Sequence, residues 1–101
     1  MMLNEAWLQA AMKLEASQGR NLVDVSTQNL GFDIRSTGKN SETRYIVLKT
    51  WAKDRDIAFT PNEWTTANRL NDKYWLYIVT KDEASPELLT VRNPGKLSLN
   101  K

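Results

Sequence analysis

The sequence predicts a mixed α/β (α+β) domain in which helices pack on a central mixed sheet, in the order helix, strands, helix, strands. Three stretches carry that prediction. Residues 3–18 repeat apolar side chains at three- and four-residue steps, the period of one helix face. Thr60-Pro61-Asn62-Glu63 has the composition of a helix start. Tyr74 to Thr80 (YWLYIVT) is apolar on both faces, as expected of a central strand covered on each side.

In the first helix the stripe is Leu3, Ala6, Trp7, Ala10, Ala11 and Leu14, with Asn4 as N-cap and Glu5 favourable in the first turn. Gly19 is the expected stop. Glu15 falls one turn after Ala11, at the edge of the stripe, where a carboxylate can reach a site beside the sheet. Residues 22–25 are short and β-branched, either a brief strand or an extended lead-in, and Ser26-Thr27-Gln28-Asn29 is a loop.

Residues 31–50 organise the rest. Phe32 and Ile34 alternate with Asp33 and Arg35, and Tyr45, Val47 and Lys49 alternate with Ile46, Leu48 and Thr50. That is the pattern of two strands, joined by the hairpin connection Thr37-Gly38-Lys39-Asn40-Ser41. Ile57-Ala58-Phe59 is expected as a third short strand after the charged turn at 53–56. In the second helix Thr60 is the N-cap, Pro61 the first helical residue and Glu63 the partner of a capping box. Trp64, Ala67 and Leu70 form its packed face, and Asn71-Asp72 closes it. Ser85-Pro86 breaks the chain, residues 88–91 form an edge strand, and Asn93-Pro94-Gly95 leads into a tail with little pattern.

A chain of 101 residues is a single domain, 1–101, with room for one core. Its 41% hydrophobic and 26% charged residues are ordinary for a soluble globular protein. No apolar run approaches the roughly 18 residues that a membrane span requires. The acidic, amphipathic start does not have the form of a signal peptide, so the expected compartment is the cytoplasm and no membrane partner is expected. Without cysteine there are no disulfides or thiolate metal sites, and without histidine no imidazole catalysis, triads or histidine-bound metal. Chemistry must therefore use carboxylates, lysine, tyrosine or hydroxyls. A net charge of +2 permits nucleic-acid binding without arguing for it. The two opening methionines fit either an excised module or a small reading frame.

An aspartate at the start of one strand and a lysine late in the next, Asp33 and Lys49, form the skeleton of a metal-dependent nuclease. Arg35, Lys39 and Arg44 cluster around the hairpin and could meet phosphates. Trp51 follows Lys49 at the strand's end, where a base could stack. Trp7, Trp64 and Trp75 are assigned to the core.

The run EASQGR, DVS, GFDIRS, RYIVLK, IAFTPNEW, YWLYIV and NPGKL resembles, in order, the C-terminal domain named after the plant protein NO VEIN, over residues 11–97. Such domains also occur at the ends of large bacterial helicases, and the family resembles the restriction-endonuclease-like fold of PD-(D/E)XK nucleases. The resemblance implies catalytic-site positions at Glu15, Asp33 and Lys49, with Asp33 as the metal ligand and Lys49 beside the attacking water or scissile phosphate. The family pattern is roughly R-Y-I-E-V-K, whereas this chain has Arg44-Tyr45-Ile46-Val47-Leu48-Lys49. Val47 thus occupies the position of the second metal-binding carboxylate, and a valine supplies no oxygen to Mg²⁺. Glu63 is not expected as a migrated ligand, because capping accounts for it.

These residues imply a catalytically degenerate nuclease-like domain with no required cofactor, which binds nucleic acid or serves a larger helicase or defence protein. One alternative is an active Mg²⁺-dependent endonuclease using Asp33 and Lys49 with Glu15. The other is a protein-interaction domain without nucleic acid.

Overall fold

Alternation along one long strand, Thr43–Trp51, divides the molecule into two faces. The structure is a computed structural model, which describes residues 5–51, 57–80 and 87–97, and the side chains of 8–50, 57–79 and 87–96. Its elements are α1 (Glu5–Ser17), β1 (Asn21–Asp24), β2 (Ile34–Thr37), β3 (Thr43–Trp51), α2 (Pro61–Leu70), β4 (Tyr74–Thr80) and β5 (Leu88–Arg92). Short 3-10 turns at Asn71–Lys73 and Pro94–Leu97 follow α2 and β5. The strands make one five-stranded mixed sheet in the order β1-β2-β3-β4-β5. Pairing is antiparallel except between β3 and β4, which run parallel with Ile46 opposite Trp75 and Lys49 opposite Ile78.

Even-numbered β3 residues face α1. Ile46 and Leu48 join Ile34, Tyr77, Val79 and Ala11 in one buried cluster, with Leu8, Met12 and Leu14 packed against it. The odd-numbered residues face α2. Val47 joins Phe32, Tyr74, Leu76 and Ala67, with Tyr45, Ile78 and Leu70 alongside. The sheet is therefore covered on both faces, and β4 is the doubly covered inner strand that its composition predicts. The stretch read as strand or lead-in forms a strand over Asn21–Asp24, pairing with β2 from Asn21↔Thr37 to Asp24↔Ile34, with Val25 just beyond it.

The expected third strand, Ile57-Ala58-Phe59, is not a strand. Both sides of β3 are already taken by β2 and β4, so the ladder has no place for it beside β3. Its apolar character has another cause. Phe59 directly precedes the Thr60 N-cap and meets Trp64 edge-to-face at 5.7 Å, the hydrophobic staple that goes with a capping box. Both halves of the box form: Glu63 N–H donates to Thr60 Oγ1 at 3.1 Å, and Thr60 N–H donates to Glu63 Oε1 at 2.9 Å. Asn71, at φ 51°, closes α2 with its N–H bonded to the Ala67 carbonyl. The Asn4 cap, Leu3, the 53–56 turn and the Ser85-Pro86 break lie outside the described residues.

The loop before β2 depends on Gly31. Its φ is +87°, and a Cβ there would lie 2.1 Å from Thr66 Oγ1 on α2. Tyr74 OH donates to its carbonyl at 2.6 Å, fixing the loop to β4 as well. Asp33, two residues on, inherits its position from this close approach. Gly31→Ala should destabilise the fold by at least about 2 kcal/mol in urea unfolding, since strain and overpacking act together. A loss within about 0.5 kcal/mol would contradict this packing.

Candidate functional site

β2 stops pairing with β3 at Ile34↔Ile46, and Asp33 N–H adds one bond to the Ile46 carbonyl at 2.7 Å. The next β3 amide on that edge, Leu48 N–H, donates to Asp33 Oδ2 at 2.7 Å. The Asp33 side chain thereby takes over where the β2 backbone leaves off. Burial pushes its carboxyl up to about 6 from 3.8, partly opposed by the Leu48 amide; the negative charge of Glu63 raises it further and Lys49 lowers it.

Lys49 lies on the α2 face of β3, near the C-terminal end of the parallel β3–β4 pair. Its Nζ is 2.5 Å from Glu63 Oε1, the same oxygen that accepts from Thr60 N–H. Both side chains remain partly open, at 19% and 16% of their full exposure. The Lys49 ammonium also stands 5.6 Å from the Phe59 ring centre. Val47, one pleat back on the same face, is 0% exposed and packs in the apolar cluster under α2. Arg35 shares this face through its pairing with Tyr45, its guanidinium 5.7 Å from the Phe32 ring centre.

Val47 offers no donor, one Asp33 oxygen is engaged by an amide, and Glu63 is held by Lys49 and the α2 cap. Among the described residues no group of three or more acidic, histidine or cysteine side chains is placed to hold a metal ion.

Glu15 is elsewhere. It lies on the α1 face, 0% exposed, opposite the face that carries Lys49. Tyr77 OH donates to Glu15 Oε2 at 2.5 Å and Ser36 Oγ donates to Oε1 at 2.9 Å. Arg44 and Arg20 complete the shell at 3.3 and 3.4 Å. Burial, then the bond to Glu15, raises the Tyr77 hydroxyl above its ordinary range, so it stays a donor. A buried carboxylate enclosed by two arginines and two hydroxyls is a structural joint between α1 and the sheet.

The structure thus brings Asp33, Lys49 and Arg35 to one face and sends Glu15 and Arg44 to the other. Arg44 stacks on Trp75 at 4.6 Å, with Arg92 on the same ring at 5.6 Å. Trp75 is half-buried at the rim of an open concavity that also includes Tyr45 and Lys73. Trp64 is half-buried in its staple. Lys39 is exposed in the hairpin turn, its stem close to Gly19 beyond the C-terminal end of α1. The side chains of Trp7 and Trp51 lie outside the described residues. Sequence reasoning missed Glu63 as a partner of Lys49. The signal was present, since a capping box turns that glutamate back over the helix start, beside the strand that ends there.

Fold and site together define a mixed α/β domain with an aspartate at the mouth of one strand and, on the next, a lysine one pleat beyond a buried valine. The family model described as Protein NO VEIN, C-terminal, matches residues 4–91, and the chain belongs to that family. Comparison with curated proteins and with solved structures found no match. Among the described residues no helix is long and apolar enough to cross a membrane.

Asp33→Asn keeps an acceptor for Leu48 N–H and removes the charge. Between about pH 4 and pH 6 the folded chain holds a proton that the unfolded chain has released, so this group makes wild-type stability fall as pH rises through that window. Urea unfolding of Asp33→Asn should lose that fall and give greater stability than wild type above about pH 6. An unchanged pH slope would show that the carboxyl titrates normally.

Proposed function

We propose that this domain is a catalytically degenerate nuclease-like module that binds nucleic acid on the Asp33–Lys49 face, as an accessory part of a DNA-processing or defence protein. Val47 carries the reading. It is fully buried among apolar side chains at the position where the family resemblance expects a metal-binding carboxylate. Phosphodiester hydrolysis of this type needs an ion to polarise the phosphate and activate water, and one oxygen each of Asp33 and Glu63 already serves a partner within the fold. Binding makes smaller demands. Lys49 and Arg35 lie on one face, and Lys49 is near the C-terminal end of the parallel strand pair, where α/β sheets generally receive ligands.

One observation favours a protein-interaction role instead. The outer strands β1 and β5 expose Val23 and Leu89, at 49% and 52%. The two readings differ in salt dependence. Fluorescence anisotropy with a labelled single-stranded oligonucleotide should show affinity that falls as salt rises, through counterion release. Lys49→Ala should weaken it about fivefold and flatten the log–log salt slope by about 0.7. Absence of binding at low salt, to single or double strands, would overturn the nucleic-acid reading and favour the protein partner.

A further inference from the structure

We propose that Glu63 is an internal competitor for Lys49, a glutamate that occupies the ammonium until a phosphate of the bound strand displaces it. The inference rests on the nucleic-acid reading above and adds the device that sets its affinity. Its basis is geometric. One carboxylate oxygen, Glu63 Oε1, serves both Lys49 Nζ at 2.5 Å and Thr60 N–H at 2.9 Å. The ammonium therefore meets an acceptor anchored by the α2 cap, not a freely swinging surface carboxylate. The pair is neither sealed nor fully solvated, so an incoming phosphate can reach it while the attraction within it exceeds that of an exposed pair.

The charges around the ammonium point the same way. Asp33 and Glu63 both act on this face, and their mutual repulsion contributes to the raised Asp33 carboxyl. A phosphate arriving at Lys49 meets two carboxylates and one ammonium, so the contact is opposed while Glu63 keeps its hold. When the phosphate takes the ammonium, Glu63 retains Thr60 N–H and the helix start is preserved. The exchange makes and breaks only ionic hydrogen bonds, with no covalent step.

The capping box supplies a clean variant. Glutamine also serves at this position of the box, so Glu63→Gln can keep the bond from Thr60 N–H while removing the charge that holds Lys49. Oligonucleotide affinity would be measured for wild type, Glu63→Gln, Lys49→Met and the double variant, with thermal midpoints recorded for all four. The expected result is binding about threefold to fivefold tighter for Glu63→Gln, at a midpoint lowered by about 3–8 °C through loss of the ion pair, with the gain in binding abolished in the Lys49→Met background. A Glu63→Gln protein that binds no tighter than wild type overturns the inference and leaves the nucleic-acid reading standing. So does an equal gain with and without Lys49, which is a general charge effect. If none of the four proteins binds any strand, the nucleic-acid reading fails and the inference falls with it. Should Glu63→Gln fail to fold, the wild type still decides by NMR of the lysine ammonium groups. The Lys49 signal must shift as oligonucleotide is added, and a signal unmoved at saturation overturns the exchange.

Discussion

The pairing of β3 is the constraint on which the rest depends. With β2 antiparallel on one side and β4 parallel on the other, the β3 backbone cannot slip by one residue without exchanging its two faces. Ile46 and Leu48 must then lie under α1, and Tyr45, Val47 and Lys49 under α2. The same register ends the β2 ladder at Ile46 and leaves the Leu48 amide for Asp33 to satisfy. It also buries Val47 in the apolar layer under α2. Strand pairing thereby determines what chemistry each face can hold.

The two polar clusters divided by the sheet differ in kind. On the α1 side Glu15 is completely enclosed, and its charge is balanced by Arg20 and Arg44 while hydroxyls of Ser36 and Tyr77 complete its hydrogen bonding. Arg20 in turn donates to Glu42 at 2.6 Å, extending the network to the far end of the hairpin. Removing one member of such a buried group leaves unpaired charge inside, which generally costs about 3–5 kcal/mol. On the α2 side Asp33, Lys49 and Glu63 are only partly covered, and exchange of partners is possible there without unfolding. One cluster joins elements; the other is partly open to solvent.

Much of this was legible in the sequence because it is local. The capping box, the doubly apolar β4 and the alternation along β3 are short-range patterns that appear in the structure at nearly the expected positions. The described part of the α1 stripe, Ala11 and Leu14, faces the sheet. Phe32 and Ile34, expected on one strand face, lie on opposite sides because β2 begins only at Ile34. Phe59 was misleading because an apolar residue between polar ones fits a strand and a hydrophobic staple equally well, and only the crowded β3 edges decide between them. Glu15 grouped with Asp33 and Lys49 by family resemblance, but the face a helix covers is a non-local property that spacing along the helix does not contain. Arg35 and Arg44 looked like one basic cluster at the hairpin; an odd offset across the strand register puts them on opposite faces. The second bond of Glu63 lay within reach of reasoning, because the box that orients the glutamate also directs it to the end of β3.

In the proposed function, Val47 is the reason that a nuclease-like arrangement would bind without cutting. The most direct test is a cleavage assay on supercoiled and single-stranded DNA with Mg²⁺ or Mn²⁺, comparing wild type with Lys49→Ala. The expected result is no cleavage by wild type above the level of the Lys49→Ala protein. Metal-dependent cleavage by wild type that Lys49→Ala abolishes would contradict it, and would mean that Asp33 and Lys49 sustain catalysis without a carboxylate at position 47.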